Sequence, residues 1–207
     1  MSQKRKLAPW IPTPISIVYA ALEAAWASPC DVVYDLGAGD GRAVIIAARE
    51  FCVKRAIGVE IDPVLAEAAR VKARMDGVDD RVEIIEEDFF KVSLQGASLV
   101  YMYLYRSINE ALREKLEAEL EPGARVVTID FPVPGWVPVY TPRLRDEGDI
   151  LRTIHVYVIG LSDTRHPRRE QLVEKWSQGL RALVCDEPPP PSCQPHVRKM
   201  LKSASSS

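Results

Sequence analysis

The sequence has few cysteines and almost no net charge. Its four cysteines lie far apart along the chain, at Cys30, Cys52, Cys185 and Cys193, and its formal net charge is −2. Scattered cysteines do not make the dense framework of a small disulfide-stabilised secreted domain. The near-zero net charge gives no general electrostatic reason for nucleic-acid binding, and we expect no nucleic-acid partner.

Long apolar runs are also missing. No segment approaches the roughly twenty uninterrupted apolar residues of a membrane span. The N-terminal stretch MSQKRKLAPW has no apolar core of the kind that a signal peptide needs, so we expect a cytoplasmic protein. The three histidines have no partners at metal-ligand spacing, and we therefore predict no metal site.

The composition suits one well-buried domain with appendages. Of the 207 residues, 47% are hydrophobic and 27% are charged, which is enough for one core and too little for two. We divide the chain into an N-terminal segment and helix (1–29), a central domain (30–160) and a C-terminal extension (161–207). The extension contains an amphipathic stretch, a proline run and a serine-rich end, so we predict that it is partly helical and then disordered. We expect a monomer.

Apolar periodicity alternates between strand and helix along the central domain. It predicts strands over 32–36, 56–60, 81–85, 97–104 and 125–131, separated by helices. Local signals mark three helix starts: Thr13 before Pro14, Asp62 before Pro63, and a capping box of Ser107 and Glu110. Two later β-rich stretches, 136–140 and 153–159, are joined by a polar turn over 146–149 and predict an antiparallel hairpin. The pattern predicts an α/β fold with a doubly wound, mostly parallel Rossmann-like sheet that ends in this hairpin.

The turn after the first predicted strand is rich in glycine and acid. It reads D-L-G-A-G-D-G-R over 35–42, and in a doubly wound sheet this turn lies at the switch point where ligands bind. The dinucleotide fingerprint GxGxxG fails, because Arg42 takes the place of its third glycine. Asp35, Asp40 and Glu60 would repel a pyrophosphate, but they can accept hydrogen bonds from an ammonium group and a ribose diol. S-adenosylmethionine carries both groups.

These residues resemble the motifs of class I S-adenosylmethionine-dependent methyltransferases. D-L-G-A-G-D-G, Glu60 and the later E-D-F-F occur in the order typical of that class. The resemblance implies that Glu60 binds the ribose hydroxyls and that Asp88 and Phe89 hold the adenine. Gly37, Gly39 and Asp40 would line the methionine moiety. The remaining candidate cofactor contacts are Trp10, Thr13, Tyr34, Asp35, Ala38, Ile61 and Met102.

A narrower resemblance covers about residues 9–160. It rests on P-W-I-P-T-P at 9–14, I-G-V-E-I-D at 57–62, L-E-P-G-A-R-V-V at 120–127, G-W at 135–136 and V-Y-V-I-G at 156–160. These segments are similar to a small family of protein-lysine methyltransferases. The family includes broad-specificity archaeal enzymes and mitochondrial enzymes that modify the ATP synthase c-subunit and the adenine nucleotide translocase. The resemblance implies S-adenosylmethionine as cofactor and lysine ε-amines of protein substrates as acceptors.

Aromatic residues follow the predicted strand ends at which such a substrate would enter. Tyr103, Tyr105, Phe131 and Trp136 can form an apolar channel. In such a channel, desolvation and a neighbouring sulfonium would lower the pKa of a lysine and favour its reactive neutral form. Asp130 alternates with Phe131 along its strand, so its carboxylate faces either the substrate or the opposite side. These five residues are the candidate catalytic residues.

Several candidates have structural alternatives. Tyr101 and Tyr103 can be core residues of a central strand. Trp136 can seal the hairpin against the sheet, and Trp10 can be a hydrophobic staple of the first helix instead of a lid over the cofactor. Arg42 opposes the dipole of the helix that it begins, and either a cofactor carboxylate or a salt bridge can compensate this cost.

Other function classes remain open. A nucleic-acid methyltransferase would need a basic surface near the strand ends, whereas the chain before residue 161 carries a net charge of about −5. The N/D-P-P-Y segment of amino methyltransferases that act on bases or glutamine is replaced by Y-M-Y-L-Y at 101–105. A small-molecule methyltransferase and a non-catalytic S-adenosylmethionine-binding module are the further alternatives.

Overall fold

Seven strands form a single sheet in the computed structural model, which describes residues 11–163. The elements in chain order are α1 (Ile15–Ala24), β1 (Val32–Leu36), α2 (Arg42–Glu50), β2 (Arg55–Glu60), α3 (Pro63–Met75), β3 (Val82–Glu86), β4 (Leu99–Met102), α4 (Arg106–Glu119), β5 (Arg125–Ile129), β6 (Arg143–Arg145) and β7 (Leu151–Val158). The predicted helix and disorder beyond residue 163, and Trp10, lie outside the described residues.

The strand order is β3-β2-β1-β4-β5-β7-β6. The first five strands pair in parallel, while β7 pairs antiparallel with both β5 and β6. The buried faces of α1, α2 and α3 pack on one side of the sheet, and α4 packs on the other. This arrangement confirms the predicted doubly wound, mostly parallel sheet with an antiparallel end.

The central strands are buried and mostly apolar because helices cover both faces. All residues of β4 and β5 are buried, which is the usual character of strands inside a parallel sheet. Parallel strands place their carboxyl ends at one edge, so the segments that follow β1, β2, β4 and β5 meet there. No helix within residues 11–163 has the length and apolarity needed to cross a membrane.

The local helix signals succeed once and fail twice. Asp62 caps α3 as predicted, since its Oδ1 accepts the Val64 N–H at 3.0 Å. The Thr13 cap is wrong, because α1 begins at Ile15 with Pro14 at the capping position. The Ser107 capping box is also wrong, because α4 begins one residue earlier, at Arg106, and has no side-chain cap.

A distant residue replaces the missing cap of α1. The Ser16 N–H at the start of this helix donates to Oε1 of Glu147, 131 positions along the chain, at 2.8 Å. Glu147 belongs to the turn between β6 and β7. This bond ties the hairpin turn to the N-terminal segment, and no local pattern can reveal it.

The predicted hairpin forms, but its first strand lies later in the sequence than predicted. The predicted strand over 136–140 is wrong: Trp136 and Tyr140 make only isolated bridges, to Asp163 and Val156. Pro138 lies inside the stretch, and proline has no N–H to donate to a ladder. The strand instead forms at β6, and the polar turn closes as predicted, with Asp146 Oδ1 accepting the N–H groups of Gly148 and Ile150 at 2.9 Å each.

A buried ion pair closes the N-terminal edge of the parallel strands. Arg125, the first residue of β5, pairs with Asp31, which directly precedes β1. The guanidinium also donates to the carbonyl oxygens of Ala25 and Trp26, at 3.2 and 3.0 Å, and the Ser98 hydroxyl donates to Asp31 at 2.6 Å. The sequence analysis did not single out this cluster.

Candidate active site

The glycine turn between β1 and α2 lies against the end of β2. The N–H groups of Gly37 and Ala38 both donate to the Val59 carbonyl, at 2.9 and 3.0 Å. Gly41 adopts a φ of 77°, and a Cβ there would lie 2.8 Å from the Cβ of Ala69 on α3. Glycine is required at this position by both conformation and space. The turn therefore brings backbone N–H groups and the start of α2 to the carboxyl edge of the sheet.

Glu60 faces this turn from the end of β2. Its buried carboxylate accepts the Gly39 N–H at 2.8 Å through Oε2 and the Asp62 N–H at 2.9 Å through Oε1. These bonds hold the carboxylate in one orientation between β1 and β2. Its side chain is thus fixed at the carboxyl edge of the sheet, and its contact with a ribose stays a prediction.

Asp35 is buried beside Glu60 without an ion-pair partner among the described residues. It sits near the end of β1, in register with Gly58 and Tyr101. Burial, reinforced by the charges of Glu60 and Asp40, raises the pKa of Asp35 to about 8. A carboxyl held in this way gains its charge readily when a cationic group comes close.

Asp40, unlike Asp35, is paired with cationic side chains. Its carboxylate binds Arg42 Nε at 2.9 Å and also Lys72 on α3. Burial opposes its ionisation, but the bonds from Arg42 and Lys72 outweigh burial and lower the pKa of Asp40 to about 2. Arg42 thus has the salt bridge that was one of its two alternatives. It also donates to the Thr13 carbonyl at 2.7 Å and so fixes the buried Thr13 over the turn.

Tyr101 is a core residue, as the structural alternative expected, and its buried hydroxyl lies near Thr13 but makes no hydrogen bond of regular geometry in the described range. Burial and the nearby Asp35 raise the pKa of this phenol, so it is a neutral donor and acceptor. Buried hydroxyls normally have partners. Together with the carboxylates of Asp35 and Glu60, the hydroxyl fits a polar ligand that carries an ammonium group and a diol.

The candidate adenine residues follow β3. Asp88 is half-buried and accepts the Phe90 N–H at 3.0 Å. The rings of Phe89 and Phe90 lie 5.0 Å apart and pack against the apolar cluster on the α4 side of the sheet. Ile61 is half-buried directly after Glu60, at the same edge.

Two candidate cofactor residues, Tyr34 and Met102, have side chains that lie away from the acidic group around Asp35. Burial raises the pKa of Tyr34, and its hydroxyl lies close enough to Arg55 on β2 and Glu83 on β3 for their charges to affect that pKa. Met102 ends β4 with a fully buried side chain in the core. The structure therefore does not bring the Tyr34 hydroxyl or the Met102 side chain to the group around Asp35.

The ends of β4 and β5 bring Tyr103 and Asp130 together. The Tyr103 hydroxyl donates to Asp130 Oδ2 at 3.2 Å, and Asp130 Oδ1 accepts the Thr153 N–H at 3.0 Å. The strand ends at Ile129, and Asp130 takes a φ of 60°, which turns it out of the strand alternation. The carboxylate therefore lies beside the Tyr103 hydroxyl, and its contact with a substrate stays a prediction. Burial and Asp130 raise the pKa of Tyr103.

Arg152 of β7 joins this pair. One guanidinium nitrogen, Nη1, donates to Asp130 Oδ2 at 2.8 Å and to the Tyr103 oxygen at 3.1 Å, and Nε donates to Asp146 Oδ2 at 2.8 Å. The sequence analysis missed Arg152, because only the pairing of β7 with β5 and β6 brings it to the edge. A single charged residue in an alternating strand gives no signal of its own.

Tyr105 and Phe131 form an aromatic pair at the opening of this edge. Their ring centroids lie 5.7 Å apart in an edge-to-face arrangement, and Tyr105 is 41% exposed. The Phe131 carbonyl accepts the Thr128 hydroxyl at 2.8 Å and the amide of the fully buried Asn109 at 2.9 Å. Asn109, which the sequence analysis also missed, ties this pair to the first turn of α4.

Trp136 lies on the α4 side of the sheet. It is buried, its ring is 5.4 Å from that of Tyr157, and its Nε1 donates to Glu117 at 2.7 Å. These contacts correspond to the sealing role that was the alternative for this residue. Its participation in a substrate channel stays a prediction.

Comparisons with known proteins identify the family to which the chain belongs. The model of the ANTKMT methyltransferase domain matches residues 35–140. The protein-lysine N-methyltransferase of Saccharolobus islandicus is 43% identical over 152 residues, which cover 73% of this chain and 94% of that protein. The chain belongs to the ANTKMT methyltransferase family. It is an S-adenosylmethionine-dependent methyltransferase, as the glycine turn and its acids predicted.

Two further relatives of this chain are named for different methyl acceptors. The adenine nucleotide translocase lysine N-methyltransferase of Mus musculus is 42% identical over 105 residues, 51% of this chain and 45% of that one. The crystal structure of an RNA methyltransferase from Salinibacter ruber in complex with S-adenosyl-L-homocysteine is 42% identical, with a TM-score of 0.68. It covers 72% of this chain and 94% of that chain. The names of these relatives therefore agree on methyltransferase activity but differ in the molecule that accepts the methyl group.

Proposed function

We propose that this methyltransferase transfers methyl groups from S-adenosylmethionine to lysine ε-amines of protein substrates. The observation that carries the proposal is the cluster of Tyr103, Asp130 and the Tyr105–Phe131 pair beside the acidic glycine turn. Aromatic walls exclude water from an entering amine and give a cation a favourable surface. The lysine methyltransferase names of two relatives support the same acceptor.

On this proposal, the carboxyl edge of β1 and β2 binds the cofactor. Glu60 accepts hydrogen bonds from the ribose hydroxyls, and Asp35 accepts them from the ammonium group. Gly37, Ala38, Gly39 and Asp40 line the methionine moiety, under Thr13. Asp88, Phe89 and Ile61 surround the adenine. Bound S-adenosylmethionine supplies a methyl group on a cationic sulfur, which is already a good leaving group.

The protein then has to present a neutral amine in line with that methyl group. A lysine ammonium first releases a proton to water, because its pKa of about 10.4 in solution falls when it is desolvated near another cation. The nitrogen lone pair forms the new N–C bond while the S–C bond breaks and its electron pair stays on sulfur. The methylated nitrogen then carries the positive charge, and it releases a proton to water before any further transfer. Holding the nitrogen close and collinear is the main contribution left to Tyr103, Tyr105 and Phe131.

RNA is the second candidate acceptor, because the relative from Salinibacter ruber is named an RNA methyltransferase. Binding of RNA relies on a basic surface. The chain before residue 161 is instead acidic overall. This negative charge favours a lysine-bearing protein. A monomeric, cytoplasmic enzyme without a nucleic-acid partner is part of the same proposal.

The test is transfer of radiolabelled methyl groups from S-adenosylmethionine into a cell extract that is left untreated, treated with protease or treated with nuclease. We expect label that survives nuclease, disappears with protease and maps to lysine by mass spectrometry. The Glu60→Ala variant should give no label. Label that disappears with nuclease would identify RNA or DNA as the acceptor and would contradict the proposal.

A further inference from the structure

We propose that Arg152 is a positioning residue that orients Tyr103 and Asp130 toward the methyl-accepting amine. This role rests on the proposed lysine methyltransferase function. Arg152 lies on β7, in the antiparallel part of the sheet, and reaches across to the ends of the parallel strands β4 and β5. Its side chain is only 18% exposed, so it is part of the wall of the site.

The guanidinium fixes three acceptors relative to one another. Nη1 contacts Asp130 Oδ2 and the Tyr103 oxygen, while Nε contacts Asp146 Oδ2. A guanidinium is planar, and its donors keep a fixed relation that a lysine ammonium could not impose. Arg152 therefore sets the distance and the angle between the Tyr103 hydroxyl and the Asp130 carboxylate.

This geometry leaves one direction of the Tyr103 oxygen for a substrate. A phenol has one proton and two lone pairs. The proton is donated to Asp130, and one lone pair accepts from Arg152. The second lone pair has no further donor among the hydrogen bonds of residues 11–163. A neutral amine that donates one N–H to it keeps the nitrogen lone pair for the methyl group.

The charge of Arg152 also determines which form of the amine the site prefers. Asp130 alone would attract and stabilise an ammonium, which cannot attack. Arg152 offsets that charge, and its hydrogen bond to Asp146, followed by the one to Asp130, outweighs burial and raises its own pKa, so it stays cationic. The other titratable or charged groups facing this cluster are Tyr101 on β4, Arg143 on β6, Asp146 in the turn and His155 on β7.

The hairpin turn keeps Arg152 in place from the other side. Asp146, which accepts Arg152 Nε, is held by the backbone N–H groups of Gly148 and Ile150. The next residue, Glu147, is bonded to the start of α1. Arg152 is thus supported by fixed elements of the fold, which is what a positioning residue requires.

The experiment compares Arg152→Gln, Arg152→Lys and Arg145→Gln with the wild-type enzyme. Arg145 is the matched control, an arginine on the same hairpin whose partner at the surface, among residues 11–163, is Asp149. The substrate is the lysine-bearing protein that the wild type labels in the extract assay. The readouts are the pH profile of kcat and, as a measure of the folded cofactor site, the Kd for S-adenosylhomocysteine.

We expect Arg152→Gln to move the midpoint of the kcat profile about one pH unit upward, because Asp130 then stabilises the ammonium, and to lower kcat at pH 7 about tenfold. Arg152→Lys, which keeps the charge but not the planar fork, should restore the midpoint and leave kcat severalfold low. The Kd for S-adenosylhomocysteine should change less than twofold in both variants. Arg145→Gln should behave as wild type.

A second measurement separates positioning from a merely structural role. If Arg152 positions Tyr103, the losses of kcat from Tyr103→Phe and Arg152→Gln, both measured on the plateau above the midpoint of the pH profile, should not multiply in the double variant. Multiplying losses, an unshifted kcat profile in Arg152→Gln, or a loss of S-adenosylhomocysteine binding in Arg152→Lys would each overturn the role while lysine methylation stands. Absence of lysine labelling by the wild type would reject the proposed function and this role with it.

Discussion

The two edges of the parallel sheet use buried charge in opposite ways. At the N-terminal edge, Arg125 and Asp31 are balanced one to one and tied to neighbouring backbone. At the carboxyl edge, Asp35 has no cation beside it and the buried Tyr101 hydroxyl makes no hydrogen bond of regular geometry within residues 11–163. Balanced buried charge closes the fold at one edge, whereas the excess of acid at the other suits a ligand that brings its own cation.

The largest effect should come from breaking the closed edge. Arg125→Met leaves Asp31 buried without its cation, and we expect the free energy of unfolding to fall by about 3 to 5 kcal/mol in a denaturant titration. The protein that remains folded should keep its Kd for S-adenosylhomocysteine.

The exposed Arg55–Glu83 pair provides the control for this change. Arg55→Met should cost less than about 1 kcal/mol, because exposed pairs contribute little. A small stability loss in Arg125→Met together with weakened ligand binding would contradict the division of roles between the two edges.

The next largest effect should appear at the carboxyl edge of the sheet. Glu60→Ala removes the acceptor of the Gly39 N–H and, on our proposal, of the ribose hydroxyls. We expect the Kd for S-adenosylhomocysteine, measured by calorimetry, to rise on the order of a hundredfold. Glu83→Ala changes the same residue type on the neighbouring strand and should leave the Kd unchanged. Equal affinities in the two variants would remove Glu60 from the site.

Asp35 should make ligand binding depend on pH. With a pKa of about 8 it is mostly protonated at pH 7, and a bound ammonium group would lower that pKa. Binding of S-adenosylhomocysteine should therefore release up to one proton at pH 7, and the affinity should rise between pH 6 and pH 8. Calorimetry in buffers of different ionisation enthalpy counts the proton, and Asp35→Asn should abolish its release.

Asp35 should also make the stability of the unliganded protein depend on pH, and this stability should fall with rising pH whereas the ligand affinity rises. Because the pKa of Asp35 in the folded protein lies above its ordinary value of 3.8, the folded state holds an extra proton between about pH 4 and pH 8. The contribution of Asp35 to stability is therefore present at low pH and is lost as the pH rises through about 8. In Asp35→Asn this pH dependence should disappear, and its persistence would show that another group causes it.

The smallest effect should come from the aromatic opening. Tyr105→Ala removes an edge-to-face contact with Phe131, and such a contact contributes about 0.5 to 1.5 kcal/mol. We expect the KM for the lysine-bearing substrate to rise a few-fold while the Kd for S-adenosylhomocysteine stays constant. Tyr140→Ala, which removes a tyrosine of similar exposure from the hairpin region, is the control. Equal KM changes in both variants would argue against a substrate contact at Tyr105.

Local patterns were enough to predict the group of acids at the carboxyl edge of the sheet, but not the contacts between segments that are distant in sequence. The glycine turn and its acids lie within a few residues of strand ends, so chain order alone placed Asp35, Asp40 and Glu60 together. The contacts of Arg152 with Asp130 and of Glu147 with Ser16 depend on strand register and on long sequence separation. Composition also misled at 136–140, where β-rich residues predicted a strand but Pro138 prevents a continuous ladder.

The most direct test is a crystal structure of the protein with S-adenosylhomocysteine. The account predicts the ribose hydroxyls on Glu60, the ammonium group on Asp35 and the sulfur facing the opening formed by Tyr103, Tyr105 and Phe131. A ligand bound elsewhere, or one bound at the glycine turn with its sulfur directed away from Tyr103 and Asp130, would contradict it.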